Sequence, residues 1–154
     1  MNTRLTIAVA LLGITVPAIA QEVTWRKNVQ PIVAKQCGEC HGPADPEFAE
    51  WMVLREKNKK LAPRMDTYGN FMGFVVWPAT GAMMRRLDDG KIASDGKPGN
   101  MYRHLGETDA ERAKNLAVIK AWIGEGGWNL NRWEARGSVP GVSKEQIDRV
   151  KAPY

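Results

Sequence analysis

Residues 37–41 read Cys-Gly-Glu-Cys-His, and no other stretch constrains this chain as tightly. C-x-x-C-H is the spacing at which two thiols can add to the two vinyl groups of one haem, with the following histidine placed to bind its iron. Two intervening residues let the chain turn so that Cys37 and Cys40 both face the porphyrin edge, and the same turn carries the His41 imidazole beneath the ring. Other chemistries of such a pair fare worse. A structural zinc site needs four ligands, whereas these are the only two cysteines and His104 is the only other histidine. A thioredoxin-like dithiol sits in an alternating strand and helix pattern, which the flanking sequence lacks. One covalent haem c is therefore the expected cofactor. It consumes both thiols and leaves none for a disulfide.

The N-terminus agrees with that chemistry. Residues 1–20 carry one positive charge at Arg4, an apolar run over residues 5–16 and the small-residue end Ala18-Ile19-Ala20, the pattern of a cleaved export signal. The apolar run is short for a membrane span, so export to the periplasm without stable membrane insertion is the expectation. The remaining chain of about 134 residues suits one domain with a single core. Its formal charge of +5 before cleavage is mild, and most basic residues alternate with acids, which is no nucleic-acid footprint. Lys57, Lys59, Lys60 and Arg64 form one basic cluster, and Arg85 with Arg86 another. Each reads as a solvated face or as a docking rim for an acidic redox partner.

The rest of the sequence reads as helices and loops. Val29, Ile32 and Val33 are spaced for a helix that starts near Asn28, holds Pro31 in its first turn and runs into Cys37. Residues 46–61 suggest a second helix with Phe48, Met52 and Leu61 on one side and lysines opposite. Residues 65–78 are aromatic and apolar, a buried segment of uncertain type, and Thr80 is a candidate cap for a short helix through Leu87. Residues 88–100 form a glycine-rich polar loop, where Asp89-Gly90 and Asp95-Gly96 are turns whose acidic spacing does not fit an EF-hand. Thr108-x-x-Glu111 is a capping box opening a helix to about Ile123, with Leu116, Ile119 and Ile123 in line and glycines 124, 126 and 127 as the stop. Beyond it, residues 128–154 read as an extension anchored by Trp128, Leu130 and Trp133, with a last cap at Ser143-x-x-Gln146. Met52, Met65, Met72 and the six tryptophans are expected as apolar filler.

A helix entering Cys-Gly-Glu-Cys-His, an intervening loop region, the segment Pro-Gly-Asn-Met at residues 98–101 and a terminal amphipathic helix with an aromatic residue together resemble the monohaem class I cytochromes c. The resemblance covers roughly residues 23–127. It implies an all-α, cytochrome c-like fold whose first and last helices cross at the haem edge, with His41 on one face of the iron and a loop methionine on the other. Met101 follows Pro98-Gly99 and precedes the capping threonine as the ligand loop of that family does, so the resemblance points to Met101. Met83 and Met84, preceded by Pro78 and Gly81, are its rivals, followed by His104. The long stretch from His41 to Pro98 and the extension after Gly127 depart from the compact family form.

No nucleophile motif or phosphate loop is present, and the histidines are too few for a triad or a second metal centre. An electron carrier cycling between ferric and ferrous iron and docking on periplasmic redox proteins needs none of these. The alternatives are a haem subunit of a larger periplasmic oxidoreductase, or a haem enzyme or gas sensor with an open sixth position. In the last, Arg85, Arg86 or Arg103 would polarise a bound ligand.

Overall fold

The structure is a computed structural model and describes residues 22–91, 93, 95–128 and 142–154. The expected export signal, Leu130 and Trp133 lie outside the described residues. Those described form short helices joined by turns, with no strand among them: α1 Gln30–Gln36, α2 Phe48–Leu54, α3 Tyr68–Met72, α4 Ala82–Leu87, α5 Asp109–Ile123 and α6 Lys144–Ile147. No helix among them is long and apolar enough to cross a membrane.

The first helical segment starts earlier than Asn28. A π-helical turn, Trp25–Val29, precedes α1, and the Thr24 side chain caps it by accepting from the Lys27 N–H. Tertiary packing explains the longer start: Trp25 is 1% exposed, and its ring lies 5.2 Å from Phe71 and 5.6 Å from Trp122. Pro31 falls in the first turn of α1 as expected, where a missing N–H costs little. Phe71 also meets Trp122 at 5.8 Å and Tyr68 meets it at 6.1 Å. Each such pair contributes roughly 0.5–1.5 kcal/mol beyond burial, and together they fix how the N-terminal segment crosses α5.

Helix α5 carries the expected line of Leu116, Ile119 and Ile123, all buried, with Trp122 beside them. The Thr108 hydroxyl accepts from the Glu111 N–H at 3.1 Å. Glu111 does not complete the box on Thr108; its Oε2 accepts from the Glu107 N–H, while Oε1 accepts from Lys35 at 2.9 Å and Gln36 at 3.1 Å. The side chain is drawn one residue back because it also ties the start of α5 to the end of α1. The C-terminal residues return to the same crossing: the Pro153 carbonyl accepts from the Trp25 N–H at 2.9 Å and the Trp122 indole at 2.8 Å. Tyr68 donates its hydroxyl to the Ala152 carbonyl at 2.9 Å. Ser143 and Gln146 form the capping box read from sequence.

Other expectations need correction. Helix α2 stops at Leu54, so Lys57, Lys59 and Lys60 lie on a turn and not on a helix face. Its inward face is Phe48 and Trp51, which meet Phe74 edge-to-face at 5.4 and 6.3 Å, and this turns Met52 outward to 44% exposure. Trp77 is 77% exposed and is no filler. The turn after α3 buries Phe74 and Val75, and two residues later the chain faces solvent. Thr80 does not cap α4; its hydroxyl donates to the Val76 carbonyl, and Gly81 occupies the cap position.

Candidate haem site

Helix α1 delivers the motif. Cys37 is its C-terminal cap, donating its N–H to the Val33 carbonyl at 2.9 Å, and the next turn closes on Cys37 through the N–H groups of Cys40 at 3.1 Å and His41 at 2.9 Å. Gly38 is needed for that turn, since a Cβ there would stand 2.5 Å from the Ala34 carbonyl oxygen. Cys37 is half-buried and Cys40 exposed, both as free thiols. Burial, with a smaller contribution from Cys40, pushes the Cys37 thiol up to about 11, so the haem-free chain holds it as S–H at neutral pH.

His41 is fixed from two sides. Its carbonyl accepts from the Met65 N–H at 2.9 Å, and its Nδ1 stands 2.7 Å from the carbonyl oxygen of buried Pro63. A carbonyl only accepts, so Nδ1 carries the proton and Nε2 is left with the lone pair that binds a metal. Pro63 has no sequence signal as an acceptor, because any backbone carbonyl serves and only the fold brings this one to the ring.

Cys37, Cys40 and His41 line one side of a cavity of about 490 Å³, within the range of cofactor sites. Its apolar wall includes Val33, Phe71, Phe74, Leu87, Leu105 and Ile119. Of the candidate sixth ligands, Met101, Met83 and His104 line it, whereas Met84 does not and is fully buried in the core. Met83 is 5% exposed and Met101 half-buried. His104 is exposed, and its Nε2 accepts from the Arg103 Nε–H at 3.0 Å.

The rim is cationic. Arg55, Lys59, Lys60 and Arg86 outnumber the one acid, Glu39, among the charged residues that line the cavity, and Lys59 is paired with Glu56 at 2.9 Å. Arg55 stacks 4.5 Å from the Trp51 ring, and Arg86 donates to Asn100 Oδ1 at 3.2 Å. Desolvation first, then the Arg55 charge, lowers the Arg86 guanidinium below its ordinary value. Sequence reasoning found Arg86 only as part of the Arg85–Arg86 cluster and missed Arg55, because residues so far apart in the chain meet only at the folded rim.

The donor set fits haem c: two thiols at the attachment spacing, an imidazole held in the metal-binding tautomer, an apolar slot and a thioether among its lining. Fold and site together define a monohaem c-type cytochrome, all-α and cytochrome c-like, carrying one covalently bound haem c and serving as a haem electron carrier. More particularly, the chain belongs to the PccH cytochrome c family, whose profile matches residues 24–154. It is similar to a solved structure, the monoheme cytochrome PccH from Geobacter sulfurreducens, with 47% sequence identity and a TM-score of 0.74. That match covers 87% of this chain and 100% of the other. No curated protein matches.

Proposed function

We propose that this cytochrome carries single electrons between redox proteins of the periplasm, with Cys37 and Cys40 as thioether links, His41 and Met101 as axial ligands, and the cationic rim as the face that acidic partners approach. The observation that carries the reading is the His41 Nδ1 contact with Pro63, which commits Nε2 to metal binding, in a cavity that Met101 also lines. Bound haem supplies the Fe(III)/Fe(II) couple. The protein's residues do the rest. His41 is held in one tautomer and one orientation, so the ligand does not reorganise when the oxidation state changes. A thioether is neutral and soft and favours ferrous iron more than a second imidazole would. Phe71, Phe74, Leu105 and Ile119 keep water from the slot, while Arg55, Lys59, Lys60 and Arg86 raise the encounter rate with an acidic surface.

The test is carbon monoxide binding by the ferrous holoprotein exported from a host with a haem-attachment system. A carrier with both axial positions filled retains its ferrous spectrum under carbon monoxide and keeps its haem through acid-acetone extraction. Rapid carbon monoxide binding would instead show an open sixth position and replace the carrier reading with an enzyme or gas sensor.

A further inference from the structure

Among the described residues, Asp88 is the one polar or charged side chain enclosed in the core, at 1% exposure. It does not line the haem cavity. Its Oδ1 accepts from the Trp128 indole N–H at 3.0 Å and its Oδ2 from the Gly90 N–H at 2.8 Å. Lys120 of α5 stands 3.7 Å from Oδ1 and 5.1 Å from the Trp128 ring centre. One side chain thus joins the end of α4, the last turn of α5 and the chain that leaves it.

The main chain at the same place closes the base of the 88–101 loop. The Asp88 carbonyl accepts from the Gly99 N–H and the Arg86 carbonyl from the Met101 N–H, each at 2.9 Å. The two segments run in contact, because a Cβ on Gly99 would lie 2.2 Å from the Arg85 carbonyl oxygen. Met101 is therefore placed by residues 86–88, and residues 86–88 are held to α5 through Asp88. A buried carboxyl that lost a partner would leave an unsatisfied polar group, so this joint resists separation.

We propose that Asp88 is a positioning residue: it locks the Met101 loop onto α5 through Trp128 and Lys120, and so sets how often the methionine side of the haem cavity opens to external ligands. The inference rests on the reading of Met101 as an axial ligand.

Imidazole binding to the ferric holoprotein tests it, followed by stopped-flow absorbance together with the weak long-wavelength band of the iron–thioether bond and the thermal midpoint. Asp88→Asn keeps the shape of the side chain but offers one acceptor oxygen where two donors converge. Trp128→Phe removes a donor from the other side. Both should bind imidazole at least roughly tenfold faster than wild type, the worth of one buried hydrogen bond to an acid, with a weakened thioether band. Trp122→Phe, whose indole bonds to Pro153 instead, should lower the thermal midpoint without faster binding. If the Asp88 and Trp128 variants lose thermal stability but keep the wild-type rate and band, Asp88 is merely structural and the proposal is overturned. Should Asp88→Asn not fold, Trp128→Phe decides alone. Met101→Ala separates the two readings. If it keeps the band, Met101 is not the ligand and both readings fall; if it loses the band while the Asp88 and Trp128 variants match wild type, only the positioning role falls.

Discussion

Met83 and Met101, the two candidate ligands among the methionines that line the haem cavity, should respond in opposite ways to truncation. Met83 is 5% exposed and packs in the core cluster beside Met84 and Leu87. Met83→Ala removes three buried heavy atoms and costs about 2–4 kcal/mol, the usual range for a core truncation that the surroundings do not refill. At roughly 4 °C per kcal/mol for a domain of this size, the thermal midpoint should fall by roughly 8–16 °C. The iron–thioether band and the reduction potential should stay close to wild type. Met101 is half-buried, so Met101→Ala loses less packing. Its loss removes the thioether, and if that ligand favours ferrous iron by more than tenfold, the potential drops by more than about 59 mV. The band should vanish, and carbon monoxide and cyanide should bind. Thermal melts, visible spectra and spectroelectrochemical titration of the two holoproteins supply the comparison. Should Met83→Ala erase the band while Met101→Ala keeps it, the axial assignment is wrong and Met83 takes the role; the carrier reading survives that exchange.

Three further outcomes are expected. Lys57, Lys59 and Lys60 changed together to glutamate should slow electron exchange with an acidic redox partner, most strongly at low salt where screening is weakest; equal rates at low salt would reduce that turn to a solvated surface. Arg86→Leu removes a positive charge from the cavity rim, worth on the order of 1 kcal/mol to the iron, and because positive charge favours the ferrous state the potential should fall by roughly 40 mV. An unchanged potential would mean that solvent already screens Arg86. The hydrogen bond from Lys35, followed by that from the Glu107 N–H, holds the Glu111 carboxyl below its ordinary value. Its contribution to stability is therefore present above the usual carboxylate range and is lost as pH falls through the lowered value, so the gap in thermal midpoint between wild type and Glu111→Gln should narrow from pH 7 to pH 3. A gap that persists in acid would contradict the linkage.

The attachment chemistry and the last long helix were legible because both are local. Cys37, Cys40 and His41 stand within one turn, and α5 announces itself through Thr108 and the line of Leu116, Ile119 and Ile123. The sequence by itself determined that haem c is bound and that the body is helical, and it supplied residues 37–41 as the candidate attachment motif. It could not choose between Met83 and Met84, since adjacent residues of a short helix face different directions and only packing decides which one meets the cavity. It misjudged Met52 and Trp77 because hydrophobicity says that a side chain gains by burial, not that a partner surface exists for it. Pro63 as the acceptor for His41, Arg55 beside Arg86 at the rim, and Asp88 beneath Trp128 are contacts across long stretches of chain. Each depends on where backbone and side chains arrive after the helices cross, and that arrangement is set by the joint packing of Trp25, Phe71 and Trp122 rather than by any short segment.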